Sequence, residues 1–226
     1  MTRPTLVFDL DGTLVDTAPD LLDSLNHCLT HAGMRRAGEA ELRRYVGMGG
    51  KVMIQRAFAA QETPLSEKQL AELLDVFLDH YTKNIPGRSA PFPGAVEAMG
   101  RFAEAGYGLA VCTNKYEALS RSLLEALGLS ARFAAICGQD TFAFRKPDPR
   151  HLTLTIEAAG GNPASALMVG DSRTDIDTAK AAGIPVVAVD FGYTDQHVST
   201  FEPSRVISHF DELTPALAAR LIGALA

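Results

Sequence analysis

Two aspartates separated by one residue follow the first apolar run of the chain. The run TLVF leads directly into Asp9 and Asp11, within FDLDGTLVD at residues 8–16. Carboxylates repel one another, so a close pair at the end of a buried strand favours a bound cation as counter-charge. The spacing therefore indicates either metal-assisted chemistry at this point or a solvated Asp-Gly turn.

Further polar residues follow the later apolar runs. Thr113 and Asn114 come after YGLAVC, Asp171 and Asp175 come after ALMVG, and Lys146 lies in the loop before a helix that starts near residue 148. Each of these residues taken alone is also typical of a helix cap, a turn or a solvated surface. Several such clusters at the ends of strands in one sheet favour a functional site over unrelated caps, turns and surface residues.

The residue types in these clusters suit phosphoryl transfer. Asp9, Asp11 and Asp171 offer the hard oxygen ligands that Mg²⁺ prefers. The hydroxyl of Thr113 and the charge of Lys146 suit the oxygens of a phosphoryl group. Carboxylates, a metal ion, one lysine and a hydroxyl together describe phosphoryl transfer better than other common reactions.

The elements between these clusters predict how they are brought together. From residue 95 onward, apolar strand-like runs alternate with helical patterns, which predicts an α/β fold with a Rossmann-like, mostly parallel sheet. Ligands bind at the carboxyl ends of the strands in such sheets, where the polar clusters lie. Residues 191–195 are expected to form a plain loop, although they could border the pocket. Residues 211–225 are predicted to form a closing helix.

A helical segment interrupts this α/β pattern. Residues 18 to 84 read as mainly helical, with Ser66 as a predicted N-cap, and a stretch rich in proline and glycine follows. We therefore predict a core of residues 1–15 and 86–226, with a helical cap domain of residues 16–85 inserted into it. Asp16 is interpreted as a turn or hinge residue where the chain leaves the core.

Composition and charge restrict the class of protein. The 226 residues are 46% hydrophobic and 21% charged, with a net charge of -6. This balance argues against a general nucleic-acid or membrane-surface binder but allows a small anionic substrate. Membrane-length apolar runs and a signal peptide are not expected. Cys112 and Cys137 are expected to be buried structural thiols, and the default setting is cytoplasmic.

Four segments in this order resemble the haloacid dehalogenase-like hydrolase superfamily: FDLDGTLVDT, VCTNK, KPDP and VGDSRTDIDTAKAAG. The resemblance spans nearly the whole chain and includes a helical cap inserted after the first segment. It implies Asp9 as a nucleophile that forms an aspartyl-phosphate, and Asp11 as general acid and then general base. It also implies Mg²⁺ held by the Asp9 carboxylate, the Asp11 backbone carbonyl and the Asp171 carboxylate.

The same resemblance implies supporting roles. The Thr113 hydroxyl and the Asn114 backbone N–H would bind phosphate oxygens, while Lys146 neutralises charge near the nucleophile. Asp175 would support the metal ligands or orient Lys146. Thr13 fits a tight, mobile turn after the nucleophile.

The second aspartate separates branches of this superfamily. Relatives that displace halide lack it and phosphonate-cleaving relatives change it, so Asp11 favours hydrolysis of phosphate esters. Phosphomutase relatives keep both aspartates but tend to carry valine at the position of Thr13, which leans toward a phosphatase.

The substrate is expected to be chosen by the cap. Residues 43–58 are similar to the cap segment of phosphatases that act on 2-phosphoglycolate, in which a glycine-rich turn opens a helix. Backbone N–H groups at a helix N-terminus can receive a carboxylate. The candidates for this task are Gly47, Gly49 and Gly50, with Lys51 or Arg56 as charge partners. These residues are equally typical of a break between two helices and of surface charge.

Several functions therefore remain open. The first is hydrolysis of 2-phosphoglycolate, and the alternatives of the same fold are a sugar-phosphate phosphatase, a pyrophosphatase and a phosphomutase. A non-catalytic, metal-binding regulatory protein is an alternative from another class. The expected partner is a small phosphorylated metabolite, and the expected assembly is a monomer or a homodimer.

Overall fold

The computed structural model describes residues 3–38, 49–194 and 196–224. The chain divides into two compact units, each described by itself below. Met1–Asp16 with Pro91–Ala226 form the first unit, and Thr17–Ala90 form the second.

A six-stranded sheet lies at the centre of the first unit. Its strands are β1 (Arg3–Phe8), β4 (Gly108–Cys112), β5 (Ala135–Cys137), β6 (Gly161–Gly170), β7 (Val186–Val189) and β8 (Arg205–Ile207). They are ordered β5-β4-β1-β6-β7-β8, and every neighbouring pair is parallel. A separate pair of two-residue strands, β2 (Val15–Asp16) and β3 (Ala90–Pro91), lies where the chain passes between the units. The predicted parallel α/β fold is confirmed.

The second unit is helical over its described residues. It contains α1 (Ala18–His31), α2 (Gly50–Ala60) and α3 (Glu67–Asn84). Helix α3 begins as predicted, because the Ser66 side chain accepts from the Gln69 backbone while Gln69 reaches back to Ser66. Its buried residues Leu70, Leu73, Phe77 and Tyr81 recur at helical spacing and form the apolar face of this helix.

Helices flank the sheet in the described part of the first unit. They are α4 (Ala95–Glu104), α5 (Glu117–Ala126), α6 (Pro149–Ala158), α7 (Arg173–Ala181) and α8 (Pro215–Gly223). Helices on both faces bury the strands, so β4 is apolar and buried at all five of its residues. Among the described residues, none of the helices combines the length and the apolar character that a membrane crossing requires.

Two details at the carboxyl end of the chain differ from the sequence prediction. The closing helix begins at Pro215 and not at residue 211, because Thr214 caps it and proline suits the first helical position. Residues Phe210–Glu212 form a separate 3₁₀ turn. Strand β8 has only three residues and was not predicted.

The segment Pro86–Ala90 groups with the helical unit, five residues beyond the boundary at residue 85 that the sequence predicts for the cap. The carboxylate of Asp20 on α1 explains this grouping. It accepts from the backbone N–H groups of Arg88 and Ser89, both at 2.8 Å, and from the Ser89 hydroxyl at 2.5 Å. These bonds fasten the returning chain to α1 within the same unit.

Candidate active site

The register of the central strands brings the predicted clusters to one edge of the sheet. Phe8 on β1 lies opposite Val111 on β4 and Val169 on β6. Asp9 therefore leaves β1 level with the last residues of both neighbours, and Thr113 and Asp171 follow directly after those residues. Parallel strands end at the same edge, so three side chains distant in sequence become neighbours.

Lys146 joins two of the carboxylates at this edge. Its Nζ lies 2.9 Å from Asp9 Oδ1 and 2.6 Å from Asp175 Oδ1, and its side chain is only 2% exposed. Asp175 is fully buried at the start of α7, where its other oxygen accepts from the Ser172 backbone at 3.0 Å and hydroxyl at 2.6 Å. A capping box thus fixes Asp175, and Asp175 in turn orients Lys146 against Asp9.

Asp171 is held on both of its oxygens. The Thr13 hydroxyl donates to Oδ1 at 2.8 Å, and the backbone N–H of Tyr193 donates to Oδ2 at 2.7 Å. Two glycines leave room for this carboxylate. A Cβ at Gly12, where φ is +83°, would lie 2.5 Å from Asp171 Oδ2, and a Cβ at Gly192 would overlap the Asp171 side chain. The loop after β7 therefore borders the site.

Asp11 has a different partner from the other acids. Its two carboxylate oxygens lie 3.1 and 3.2 Å from Lys115 Nζ. The side chain of Lys115 is 6% exposed and that of Asp11 is 16% exposed, so this ion pair is largely removed from water. The site thus contains two separate lysine–carboxylate arrangements, one around Asp9 and one around Asp11.

Thr113 and Asn114 line the turn that follows β4. The Thr113 backbone N–H donates to the Cys137 carbonyl at 3.0 Å, and its hydroxyl oxygen accepts from the Lys115 backbone at 3.2 Å. A hydroxyl that accepts from the protein retains its own proton for an anion. The Asn114 side chain donates to the Lys146 backbone carbonyl at 3.0 Å, which ties the two loops together.

Burial and mutual repulsion raise the proton affinity of these acids. Burial, followed by the charge of Asp175, raises the pKa of Asp9 to about 6 although Lys146 opposes the change. Burial and the charges of Asp175 and Asp9 raise the pKa of Asp171 to about 8. Burial alone would lower the pKa of Lys146, but the carboxylates of Asp175 and Asp9 raise it above its ordinary value.

A divalent cation fits this set of donors. Oxygens of Asp9, Asp171 and Asp175 lie within 4.8 Å of one another among the described residues. Lys146 supplies one positive charge to this cluster of carboxylates, and burial together with the neighbouring carboxylates raises the pKa values of Asp9 and Asp171. Hard carboxylate oxygens suit Mg²⁺. One oxygen of Asp175 binds the Lys146 ammonium, and the other accepts from the Ser172 hydroxyl and from the backbone N–H groups of Ser172 and Asp171. Each oxygen of Asp171 accepts only one hydrogen bond from the described residues, so Asp9 and Asp171 are the carboxylates better placed to accept the ion.

The predicted cap residues lie in the helical unit. Gly49 has φ of +82° and precedes α2, and Gly50 is the first residue of that helix. Lys51 lies 3.8 Å from Glu67 in an exposed ion pair, and Arg56 is an exposed residue of α2. Gly47 lies outside the described residues. The role of this segment in binding substrate stays a prediction.

Sequence reasoning did not identify two contacts of the site. Lys115 follows Thr113 and Asn114 in the sequence, but the sequence predicts no role for it, because its contact with Asp11 depends on side-chain reach between two strand ends. Tyr193 was placed in a plain loop, whereas its backbone holds Asp171 and its hydroxyl donates to Asp16. A loop with Gly192 next to an aromatic residue, directly after a buried strand, was the available signal.

Comparisons with known proteins agree with this architecture. Residues 6–189 match the family model described as haloacid dehalogenase-like hydrolase. A phosphoglycolate phosphatase of Mesorhizobium japonicum is 69% identical over 99% of both chains, and one of Agrobacterium fabrum is 51% identical over 97% of this chain and 94% of its own. The crystal structure of a predicted phosphoglycolate phosphatase from Haemophilus somnus superposes with a TM-score of 0.87 at 30% identity, over 94% of this chain and 97% of the other. This chain therefore belongs to the haloacid dehalogenase-like hydrolase family.

Proposed function

We propose that the protein is a Mg²⁺-dependent phosphatase that hydrolyses 2-phosphoglycolate to glycolate and inorganic phosphate, with Asp9 as the nucleophile. The observation that carries this proposal is the placement of Asp9, whose carboxylate is paired with a buried lysine and whose neighbours at the sheet edge are Asp171 and Asp175. The full-length likeness to phosphatases of this substrate supports the choice of reaction and substrate.

The proposed reaction has two steps at phosphorus. The Asp9 carboxylate forms a bond to phosphorus while the bond from phosphorus to the glycolate oxygen breaks, and Asp11 gives that oxygen a proton. Asp11, now a carboxylate, then takes a proton from water as the water oxygen attacks the aspartyl-phosphate. The second step breaks the bond between Asp9 and phosphorus and releases phosphate.

Other residues of the site bind the phosphoryl group and balance its charge. The Thr113 hydroxyl and the Asn114 backbone N–H donate to its oxygens, and Lys146 stabilises the negative charge that gathers beside Asp9. The Asp9 and Asp171 carboxylates and the Asp11 carbonyl would hold Mg²⁺, which offsets the charge of the phosphoryl oxygens when bound. Asp175 and Thr13 keep Lys146 and Asp171 in place.

The helical unit is proposed to choose the substrate. Gly49 and Gly50 open α2, whose first backbone N–H groups suit a carboxylate, and Arg56 adds a positive charge on the same helix. We also place the enzyme in a reducing, cytoplasmic setting, as a monomer or a homodimer. The free, buried thiols of Cys28, Cys112 and Cys137 support the reducing setting.

Phosphate release from a panel of substrates tests this proposal. The panel contains 2-phosphoglycolate, sugar phosphates and pyrophosphate, each with Mg²⁺ and with EDTA. We expect the highest kcat/KM for 2-phosphoglycolate and no turnover in EDTA. Isomerisation of a sugar phosphate without phosphate release would instead indicate a phosphomutase, and no release from any ester would indicate a non-catalytic protein.

A matched pair of variants tests the nucleophile. Asp9→Asn removes the attacking carboxylate, and Asp79→Asn makes the same chemical change at an exposed position of α3. We expect the first variant to lose at least about 10³-fold in kcat and the second to behave as wild type. Wild-type turnover by Asp9→Asn would overturn the role of Asp9.

A further inference from the structure

Lys115 is a cation of the site to which the proposed reaction assigns no task. It follows the phosphate-binding turn after β4, its side chain is only 6% exposed, and it contacts both oxygens of the Asp11 carboxylate. Removing an ammonium group from water is costly unless anions surround it. Its location beside the residue that protonates the leaving group places this charge where the leaving group must be bound.

From this position we infer that Lys115 contributes to specificity by binding the carboxylate of the substrate's leaving group, as a contact from the core in addition to the one proposed for α2. The inference rests on the proposed function, because it concerns a leaving group that carries a negative charge. Its ligand class is a phosphate monoester with a carboxylate close to the ester oxygen.

The distances between Lys115, Asp11 and the expected leaving group allow this contact. Asp11 must come within about 2.6–3.2 Å of the ester oxygen to protonate it. Lys115 Nζ lies 3.1 Å from Asp11 Oδ1, on the same side chain that makes this approach. In glycolate the ester oxygen and the carboxylate oxygens are only about 3 Å apart. A carboxylate carried by this leaving group is therefore within reach of Lys115, whereas a charge many bonds further away is not.

Charge balance requires a cation at this point. The site already holds Asp9, Asp171 and Asp175 as closely spaced acids, so an additional carboxylate next to Asp11 would be repelled without a local counter-charge. Lys146 is bound between Asp9 and Asp175 and belongs to the phosphoryl end of the substrate. Among the residues that the structure describes, Lys115 is the lysine that contacts Asp11, so it can share its contacts between Asp11 and the incoming carboxylate.

The inference makes Lys115 a selective contact, in contrast to a residue that only supports Asp11. A support for Asp11 affects every phosphate ester to the same degree. A partner for the substrate carboxylate affects charged leaving groups more than neutral ones, because a charge-assisted hydrogen bond is lost only with the former. The ratio of kcat/KM for a charged and a neutral leaving group therefore separates the two roles.

The experiment compares 2-phosphoglycolate with carbamoylmethyl phosphate. In this analogue of nearly the same size an amide replaces the carboxylate, so the leaving group is neutral. In Lys115→Met we expect kcat/KM to fall for both esters, and to fall about 10- to 100-fold further for 2-phosphoglycolate. Lys115→Arg keeps the charge and should restore most of the preference. Lys83→Met removes an exposed lysine and should keep the wild-type ratio.

The outcomes separate this inference from the proposed function. An equal loss for both esters, or an unchanged ratio, in Lys115→Met overturns the inference while leaving the phosphatase intact. Loss of the preference in Arg56→Met but not in Lys115→Met assigns the carboxylate to α2 and also overturns it. A wild-type enzyme that hydrolyses both esters without preferring 2-phosphoglycolate overturns the inference together with the proposed substrate.

Discussion

Lys146 is enclosed by carboxylates, and its charge is required by two of them. Replacement by methionine leaves Asp9 and Asp175 buried without their partner. We expect Lys146→Met to lower kcat about 10²- to 10³-fold and the free energy of unfolding in EDTA by about 3–5 kcal/mol. Phosphate release and urea denaturation measure the two effects. Lys83→Met, an exposed control, should change the free energy of unfolding by less than about 0.5 kcal/mol.

Gly192 provides a second test, since it leaves the space that the Asp171 side chain occupies. An added methyl group in Gly192→Ala would displace Asp171, so we expect kcat/KM to fall about 10- to 100-fold. Gly100→Ala is the matched control, because nothing lies within 4 Å of a Cβ at that position of α4. Equal activity of the two variants would contradict the close packing of the loop on Asp171.

The candidate residues were predictable from the sequence because they follow apolar runs directly. Asp9, Thr113 and Asp171 needed only the parallel arrangement of the strands to become neighbours. The lysine partner of each carboxylate could not be predicted from the residue pattern alone. Lys146 binding Asp9 and Asp175, and Lys115 binding Asp11, depend on side-chain directions and on register, which spacing along the chain does not give.

Among the elements, α6 supports the turn after β4 through one buried histidine. His151 Nε2 lies 3.0 Å from the Gly138 carbonyl after β5, and Nδ1 lies 3.7 Å from Cys112 Sγ at the end of β4. Burial and the charge of Lys146 lower the pKa of His151 to about 4. The unfolded chain therefore binds a proton near pH 6.5 that the folded chain takes up only near pH 4, so stability is lost as the pH falls between these values.

We expect the titration of this histidine to lower the free energy of unfolding by about 2 kcal/mol between pH 7 and pH 5. The raised pKa values of Asp9 and Asp171 contribute in the opposite direction, so the effect of His151 is read as a difference from a variant. Urea denaturation at the two pH values measures it. His151→Gln retains an N–H donor without the titration, so from pH 7 to pH 5 its free energy of unfolding should rise by about 2 kcal/mol relative to that of wild type. His31→Gln, at the exposed end of α1, should keep the wild-type pH dependence. A wild-type pH dependence in His151→Gln would contradict the assignment.

Long or strongly patterned elements were predictable and short ones were not. Helix α3 carries both a capping box and an apolar face, so its local signals agree. Strand β8 spans Arg205–Ile207 and has too few residues to show alternation. The start of the closing helix was predicted several residues too early along the chain. The buried residues Phe210 and Leu213 resemble the apolar face of a helix, but Phe210 lies in a 3₁₀ turn and Leu213 follows that turn directly.

For the whole molecule, the carboxylate cluster predicts that Mg²⁺ stabilises the folded state. A ligand present at 100 times its dissociation constant adds about 2.7 kcal/mol, which corresponds to an increase in Tm of about 5–10 °C for a chain of this size. We expect this increase in wild type and in Asp177→Asn, a change at a half-buried position of α7, but not in Asp171→Asn. Thermal denaturation with Mg²⁺ and with EDTA measures it. An equal increase in Asp171→Asn would place the ion elsewhere.

The division of the chain into two units could be predicted from the sequence only in part. The change from helical patterns to alternating strands and helices is visible in composition, and the fold class follows from it. The grouping of Pro86–Ala90 with the helical unit reflects three hydrogen bonds to Asp20. These bonds join residues 68 or 69 positions apart, so no local sequence pattern predicts them. We propose that the choice of substrate depends on still finer contacts, among them that of Lys115 in the core.

The central claim is that Asp9 carries the phosphoryl group between the two steps. Borohydride added during turnover of 2-phosphoglycolate reduces an aspartyl-phosphate to homoserine, and mass spectrometry of the digested protein locates the change. We expect homoserine at position 9, dependent on substrate and Mg²⁺. Homoserine at another aspartate, or an unmodified position 9 during sustained turnover with borohydride, would contradict it.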